Sequence, residues 1–158
     1  LADDCYLFDT PGVLGPRFVV PESGTLLAAS GAVGRNAYDD ESVALDLLDL
    51  LKLAYPVLLE ERYRFGLNPA ALAEAHAEVL MESIGRQRGA LVAGGKVNLT
   101  KAAELVIADF RQGHMGRITL ETPEQFGRWL AAGEAADAQR QKARGDRPNS
   151  PSGGRRKR

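Results

Sequence analysis

An acid and a glycine near the start of the chain have the types and spacing of a metal- and phosphate-binding pair. Asp9 ends the apolar run 5–8, and Gly12 follows it after Thr10 and Pro11. The run predicts a β-strand, and ligands of α/β proteins bind where such strands end. There Asp9 can hold Mg²⁺ through water, and Gly12 lets a backbone N–H approach a terminal phosphate. A buried strand with a simple proline-glycine turn fits the same residues.

The elements around this pair are predicted to be mainly helical. Residues 13–22 lack periodicity and predict a loop, and Ser23 is a candidate N-cap for a short helix that ends at Gly31. Apolar spacing, caps and prolines then predict helices over 41–55, 57–63, 69–85 and 98–113, and one from 122. One strand does not make a sheet. We therefore expect the first strand to be the last one of a sheet whose other strands the chain lacks.

The third predicted helix has an assigned inner face, and its end is assigned to glycines. The face comprises Leu72, Ala75, Val79, Leu80 and Ile84, and Gly85 and Gly89 are predicted to end the helix. Thr122 and Gln125 have the spacing of a capping box for the last helix.

Composition narrows the class of protein. The apolar content of 44% and the charged content of 26% are ordinary for a globular protein, and no apolar run reaches the length of a membrane span. We also find no signal-peptide pattern. A single cysteine, Cys5, excludes a disulfide framework and predicts a reducing, cytoplasmic location.

Charge is distributed unevenly along the chain. Residues 138–158 contain eight basic side chains and one acid, a net charge of +7, which leaves −8 for the remainder. A segment so basic and so poor in apolar residues predicts a disordered tail that binds polyanions such as RNA. A tail that only improves solubility is the alternative.

Two stretches resemble nucleotide motifs but lack essential residues. Residues 89–96 look like a P-loop, yet Ala90 occupies a required glycine position and Val97 offers no hydroxyl to Mg²⁺. A flexible connector between helices is the prediction there. Thr100-Lys101 lacks the aspartate of a guanine-reading motif.

The two histidines, His76 and His114, have no partner at metal-ligand spacing. His76 is predicted to lie on the surface of its helix or half-buried. His114 stands between Arg111 and Arg117 and is a candidate for contact with phosphate.

Several motifs in order closely resemble the ribosome biogenesis GTPase A family. The similarity runs from Cys5 to about Pro123 and is carried by residues 7–17, 27–32, 84–89, 103–111 and 116–121. Members are circularly permuted GTPases in which a helical, rRNA-binding domain follows the D-x-x-G motif. The resemblance implies that residues 1–36 are the end of a GTPase domain, 37–133 a helical domain of four to five helices, and 134–158 a basic, disordered tail.

The resemblance also assigns residue roles. Asp9 would bind Mg²⁺ through water and Gly12 would sense the γ-phosphate of GTP, with Thr10 and Pro11 beside the nucleotide. Val13 occupies the position where many GTPases place a water-orienting glutamine. The P-loop and the guanine-specificity motifs precede this region in the family and are missing here. We therefore expect GTP and Mg²⁺ to belong to the intact family protein, and this chain alone to bind neither and to be inactive as a GTPase.

The implied function is a switch on the ribosome. Gly12 would report the nucleotide state through residues 13–22, and the helical domain would be reoriented on the rRNA of the large ribosomal subunit. No membrane or DNA partner is expected, and the chain is expected to be a monomer. The candidate RNA contacts are six cations at helix ends and links: Arg86, Arg88, Lys96, Lys101, Arg111 and Arg117.

Two further hypotheses remain open. The chain can be a stand-alone helical RNA- or protein-binding module without nucleotide binding, or a protein–protein module whose interface is the acidic body.

Overall fold

The computed structural model describes residues 20–145, which form a bundle of α-helices. The helices are α1 (Pro21–Ser30), α2 (Asp40–Ala54), α3 (Pro56–Tyr63), α4 (Pro69–Glu74), α5 (Ala77–Gln87), α6 (Leu99–Arg111) and α7 (Pro123–Gly145), with a 3-10 turn at Arg35–Ala37. Within these residues the β-structure is one isolated bridge between Leu91 and Val97. The predicted mainly α class is therefore confirmed.

The residues predicted to bind the nucleotide cannot be placed on this bundle. Asp9, Thr10, Pro11 and Gly12 lie outside the described residues, as does the predicted strand before them. The same holds for residues 146–158 of the basic tail.

Local signals in the sequence set most helix starts. Four helices begin with proline, which fits the first helical position because its missing N–H needs no partner there. The side chains of Asn68 and Asn98 accept hydrogen bonds from backbone N–H groups three residues later, at 2.8 and 3.0 Å. The predicted capping box is present: Gln125 N donates to Thr122 Oγ1, and Thr122 N donates to Gln125 Oε1.

The core lies between α2, α5 and α6, and α1 packs on α2 and α6. Leu47, Leu51, Ile84 and Val106 are almost fully buried in it. The α1 residues 28–29 belong to the same buried cluster. The domain boundary near residue 36 stays a prediction, but the apolar core continues across it.

The predicted helix over 69–85 is wrong in the middle, where the chain forms two helices. Ala75 and His76 are extended, and Lys52 Nζ of α2 donates a hydrogen bond to the free Ala75 carbonyl at 2.7 Å. The break changes which side chains face inward: Ala77 is buried, whereas Val79 is 59% exposed. Packing against α2 thus overrides the continuous helical pattern, and the predicted inner face fails at Val79. His76 is exposed and precedes the first residue of α5 instead of lying on a helix.

Gly85 does not end a helix but lies inside α5, where it is buried. The following segment, predicted to be a flexible connector, is a hydrogen-bonded turn. Val92 N donates to the Lys96 carbonyl at 2.8 Å, and the bridge between Leu91 and Val97 closes the turn. Two glycines with positive φ, Gly94 and Gly95, permit this tight reversal.

The predicted disordered tail begins too early. Helix α7 continues past Gly133 to Gly145, so residues 134–145 are helical in the structure. The alanines of this stretch explain the difference, since alanine is the strongest helix former and needs no packing to favour a helix.

Candidate functional site

A buried carboxylate at the end of α6 collects three basic side chains from three parts of the fold. Asp109 is 8% exposed. Arg62 of α3 donates to it from Nε at 2.9 Å and from Nη2, and Arg88 donates from Nη2 at 3.2 Å. His114 Nδ1, in the loop after α6, lies 3.2 Å from Asp109 Oδ1. We call these four residues the Asp109 cluster.

Local structure places each member of the cluster. Arg62 precedes the last residue of α3, and Arg88 is the C-cap of α5. His114 is held because its backbone N–H donates to the Asp109 carbonyl at 3.0 Å, just after the helix ends. Side chains carried near the ends of three helices therefore converge on Asp109, and we call this region the cationic pole.

The cluster is cationic despite its acid. Burial by itself raises the pKa of Asp109, but hydrogen bonds from Arg62 and His114 and the charges of both arginines lower it below the usual value. The carboxylate is therefore ionised at neutral pH. Two guanidinium groups against one carboxylate leave an excess of one positive charge, even with His114 neutral.

Tyr63 adds a buried polar group beside the cluster. Its hydroxyl is buried and has no hydrogen-bond partner among the described residues. Burial, and then the negative charge of Asp109, raise the pKa of Tyr63 well above its ordinary value. The phenol is therefore neutral and packs as part of the core.

A cleft of about 540 Å³ adjoins the cluster. Its walls include Arg62, Arg64 and His114, and Leu58 and the loop 113–116 complete the lining together with one acid, Glu61. The cleft thus offers an anion three basic side chains and a single opposing charge.

The six candidate RNA contacts fall into two groups in the structure. We call a side chain occupied when it bonds another protein group, and open when it bonds none among the described residues. Arg86 pairs with Glu82 one turn earlier in α5, and Arg88 belongs to the Asp109 cluster. Among the described residues, the side chains of three others, Lys96, Lys101 and Arg117, are exposed and make no ion pair or hydrogen bond.

Arg111 has a structural role in the bundle. Its Nε donates to the Ala29 carbonyl at 2.9 Å, and its Nη2 donates to the Ala28 carbonyl at 2.7 Å and to the Tyr38 hydroxyl at 2.8 Å. The side chain therefore bonds carbonyl groups in the last turn of α1, adding a second donor to the Ala28 carbonyl that Gly31 N already bonds, and fastens α1 to α6. RNA contact by Arg111 and by the other five cations stays a prediction.

Arg62, Arg64 and Asp109 were not predicted as site residues from the sequence. For Asp109 a signal existed: it continues the buried face of α6 formed by Ala102 and Val106, so an acid stands where the helical period requires an apolar residue. Nothing in the sequence linked Arg62 to this acid, because 47 residues separate them.

The described residues show neither a metal centre nor a membrane helix. Within 20–145, no three His, Cys, Asp or Glu side chains are grouped so that they could hold a metal ion. No helix of this part combines the length and the apolar character needed to cross a membrane. Asp9 and Gly12 lie outside these residues, so the Mg²⁺ and GTP contacts assigned to them stay predictions.

Comparisons with known proteins extend the resemblance. No protein-family model matches the chain. Ribosome biogenesis GTPase A of Bacillus cereus is 38% identical over 121 residues, which are 77% of this chain and 39% of that protein. Ribosome biogenesis GTPase A of Bacillus licheniformis is 37% identical over 120 residues, 76% of this chain and 41% of that protein.

The chain is also similar to a eukaryotic protein. Mitochondrial ribosome-associated GTPase 1 of Xenopus tropicalis is 32% identical over 129 residues, 73% of this chain and 39% of that protein. The chain thus spans about two fifths of the length of the relatives it matches. Over the region that these alignments cover, the chain belongs to the ribosome biogenesis GTPase A family.

Proposed function

We propose that this chain is the ribosome-contacting, helical part of a GTPase that acts in assembly of the large ribosomal subunit, and that it binds rRNA. The names of its relatives support the setting, since they are a ribosome biogenesis GTPase and a ribosome-associated GTPase. The observation that carries the RNA contact is the Asp109 cluster, which gathers basic side chains from three helix ends at one pole.

The balance of charge at this pole favours a polyanion. Arg64 and His114 line the cleft next to Arg62, and one acid, Glu61, opposes them. Elsewhere on the described surface, Lys96, Lys101 and Arg117 are exposed and are not paired with a described acid; Lys101 lies in the first turn of α6, at the opposite end from Asp109. Arginine and lysine contacts to phosphate position a protein on RNA without reading its sequence. The expected partner is therefore folded rRNA recognised through its backbone.

The nucleotide part of the proposal depends on residues beyond this bundle. GTP hydrolysis would supply the timing of release, and Asp9 and Gly12 are the residues of this chain assigned to sense it. Helix α1 follows that segment directly in the sequence, and Arg111 fastens α1 to α6. A change in the position of α1 would therefore act on the helix that also holds Asp109.

Co-sedimentation of the 158-residue chain with isolated large and small ribosomal subunits tests the proposal. We expect binding to large subunits, with the logarithm of the association constant falling linearly with the logarithm of the salt concentration. Binding that does not change with salt would favour the protein–protein alternative, and no binding would refute the proposal.

A pair of variants sharpens this experiment. Lys101→Gln removes an open cation and should reduce the salt slope by about 1, as expected for one lost phosphate contact. Arg86→Gln removes a cation that Glu82 already neutralises, so its effect should be smaller. Equal effects of both variants would contradict the distinction between open and occupied cations.

A further inference from the structure

The proposed RNA contact leaves open why a carboxylate stands at the centre of a cationic pole. An acid repels phosphate, so its presence there opposes RNA binding through Coulomb interaction alone. We infer that Asp109 is a positioning residue, which holds Arg62, Arg88 and His114 as one preformed site for an RNA phosphate. This inference rests on the proposed function and deepens it.

The arrangement of donors supports this role. Arg62 uses Nε and Nη2 on the carboxylate, which leaves Nη1 with two N–H donors, and Arg88 uses only Nη2. His114 faces Asp109 with Nδ1, so its Nε2 has no bond to the cluster. Both arginines therefore retain donor groups that the carboxylate does not occupy, and His114 Nε2 is free to meet a ligand.

Burial places the acid behind its partners. The side chain of Asp109 is 12% exposed, whereas those of Arg62, Arg88 and His114 are 24%, 36% and 48% exposed. An approaching anion therefore meets guanidinium and imidazole groups before it meets the carboxylate.

The adjoining cleft provides space for the ligand. Gly113 and Gly116 have φ values of 72° and 90°, which side-chain-bearing residues rarely adopt, and they turn the loop that carries His114. A Cβ added at Gly116 would lie 3.4 Å from Leu58 Cδ2. The loop thus packs closely on α3 and leaves His114 beside Arg62 at the cleft.

The carboxylate of Asp109 favours phosphate binding because it holds the arginine side chains in place beforehand. A free arginine side chain loses much rotamer freedom when it binds phosphate, and two arginines lose more. Because Asp109 already holds both guanidinium groups, less freedom remains to be lost on binding. The local electrostatic cost of one acid is offset by this gain.

Asp109→Asn distinguishes positioning from simple charge. The substitution keeps the shape of the side chain and raises the net charge of the chain by one, so Coulomb attraction alone predicts tighter RNA binding. Positioning predicts the opposite: affinity for a short RNA hairpin falls about tenfold, the loss of one to two charge-assisted hydrogen bonds. The salt slope also falls by about 1, since one phosphate contact is lost.

Glu82→Gln is the matched control. It also replaces an acid that pairs with an arginine, and it raises the net charge equally, but Glu82 and Arg86 form an isolated pair within α5. We expect its RNA affinity to be unchanged or higher and its salt slope to be unchanged or steeper.

The outcomes separate this inference from the proposed function. If the parent chain binds RNA and Asp109→Asn binds as tightly or more tightly, the positioning role is wrong and the RNA-binding proposal stands. If the parent chain binds no RNA, both are wrong. Circular dichroism and thermal melting establish that each variant is folded.

A second variant keeps the test decisive if Asp109→Asn does not fold. Arg88→Lys preserves the charge at a side chain that is 36% exposed, but lysine lacks the planar fork that can bond Asp109 and a phosphate together. Weaker hairpin binding by this variant, with its melting temperature maintained, supports the preformed site. Unchanged binding overturns it.

Discussion

Replacement of Gly85 by alanine sets two opposing effects against each other. In an exposed helix interior, glycine to alanine gains roughly 1 kcal/mol of stability. At Gly85, however, the added Cβ would lie 2.4 Å from Val97 Cγ1 and 3.1 Å from Ala102 Cβ. The first distance cannot exist, so either α5 and α6 move apart or Val97 leaves its rotamer, and β-branched side chains have few alternatives. Overpacking of this kind costs roughly 1–3 kcal/mol.

A 2.4 Å approach to a methyl of Val97 places the cost in the upper part of that range, about 2–3 kcal/mol, so after the gain of about 1 kcal/mol in helix propensity the expected net loss for Gly85→Ala is about 1–2 kcal/mol. For a folded part of this size the melting temperature should fall by roughly 3–8 °C. Thermal melting followed by circular dichroism at 222 nm measures the change. An unchanged or raised melting temperature would refute the close packing of Gly85 on Val97.

Two control variants show whether a loss of stability in Gly85→Ala comes from the contact with Val97. Gly127→Ala makes the same substitution in α7, where an added Cβ meets nothing within 4 Å, so helicity should increase or stay equal. Gly85→Ala combined with Val97→Ala removes the clashing methyl groups and should recover much of the lost stability. No recovery in the double variant would place the defect somewhere other than this contact.

Three further predictions concern pH, capping and the attachment of α1. Because the pKa of Asp109 is below its ordinary value, its carboxylate stabilises the fold above about pH 4, and this contribution is lost as the pH falls through the folded-state pKa. Asp109→Asn removes this titration, so the free energy of unfolding, measured with urea, should depend less on pH in the acid range. Asn98→Ala removes the N-cap of α6 and should lower the free energy of unfolding by about 1 kcal/mol, whereas Asn98→Asp, which keeps the acceptor, should not. Arg111→Lys should cost about 1–3 kcal/mol and increase amide exchange in α1, since lysine cannot bond two carbonyls and the Tyr38 hydroxyl together; unchanged exchange there would contradict the structural role of Arg111.

The helix boundaries were the most predictable part of the fold. The start of α6 at residue 98 and the capping box at Thr122 and Gln125 were both predicted from residues within one turn of each other. The break at residues 75–76 was not predictable in this way. It depends on a hydrogen bond from Lys52, which is 23 residues away, and on packing against α2.

The candidate site also combines features that the sequence shows with features that only the tertiary contacts decide. Cationic helix ends and links were visible in the sequence, and Arg88 is a member of the Asp109 cluster. The sequence could not show that Arg86 is paired with Glu82 or that Arg111 holds α1, because the state of a charge depends on which groups surround it after folding.

The sequence by itself determined the helical class, most helix ends and the family, since caps, prolines, apolar periods and ordered motifs are local or linear features. Tertiary structure alone decided which acid organises the cationic pole. Asp109 meets Arg62 and Arg88 from 47 and 21 residues away, and it does so because α3, α5 and α6 bury their apolar faces against one core. Burial of those faces brings these side chains within reach of one another, and an ionised acid at that point is stable only because arginines meet it there.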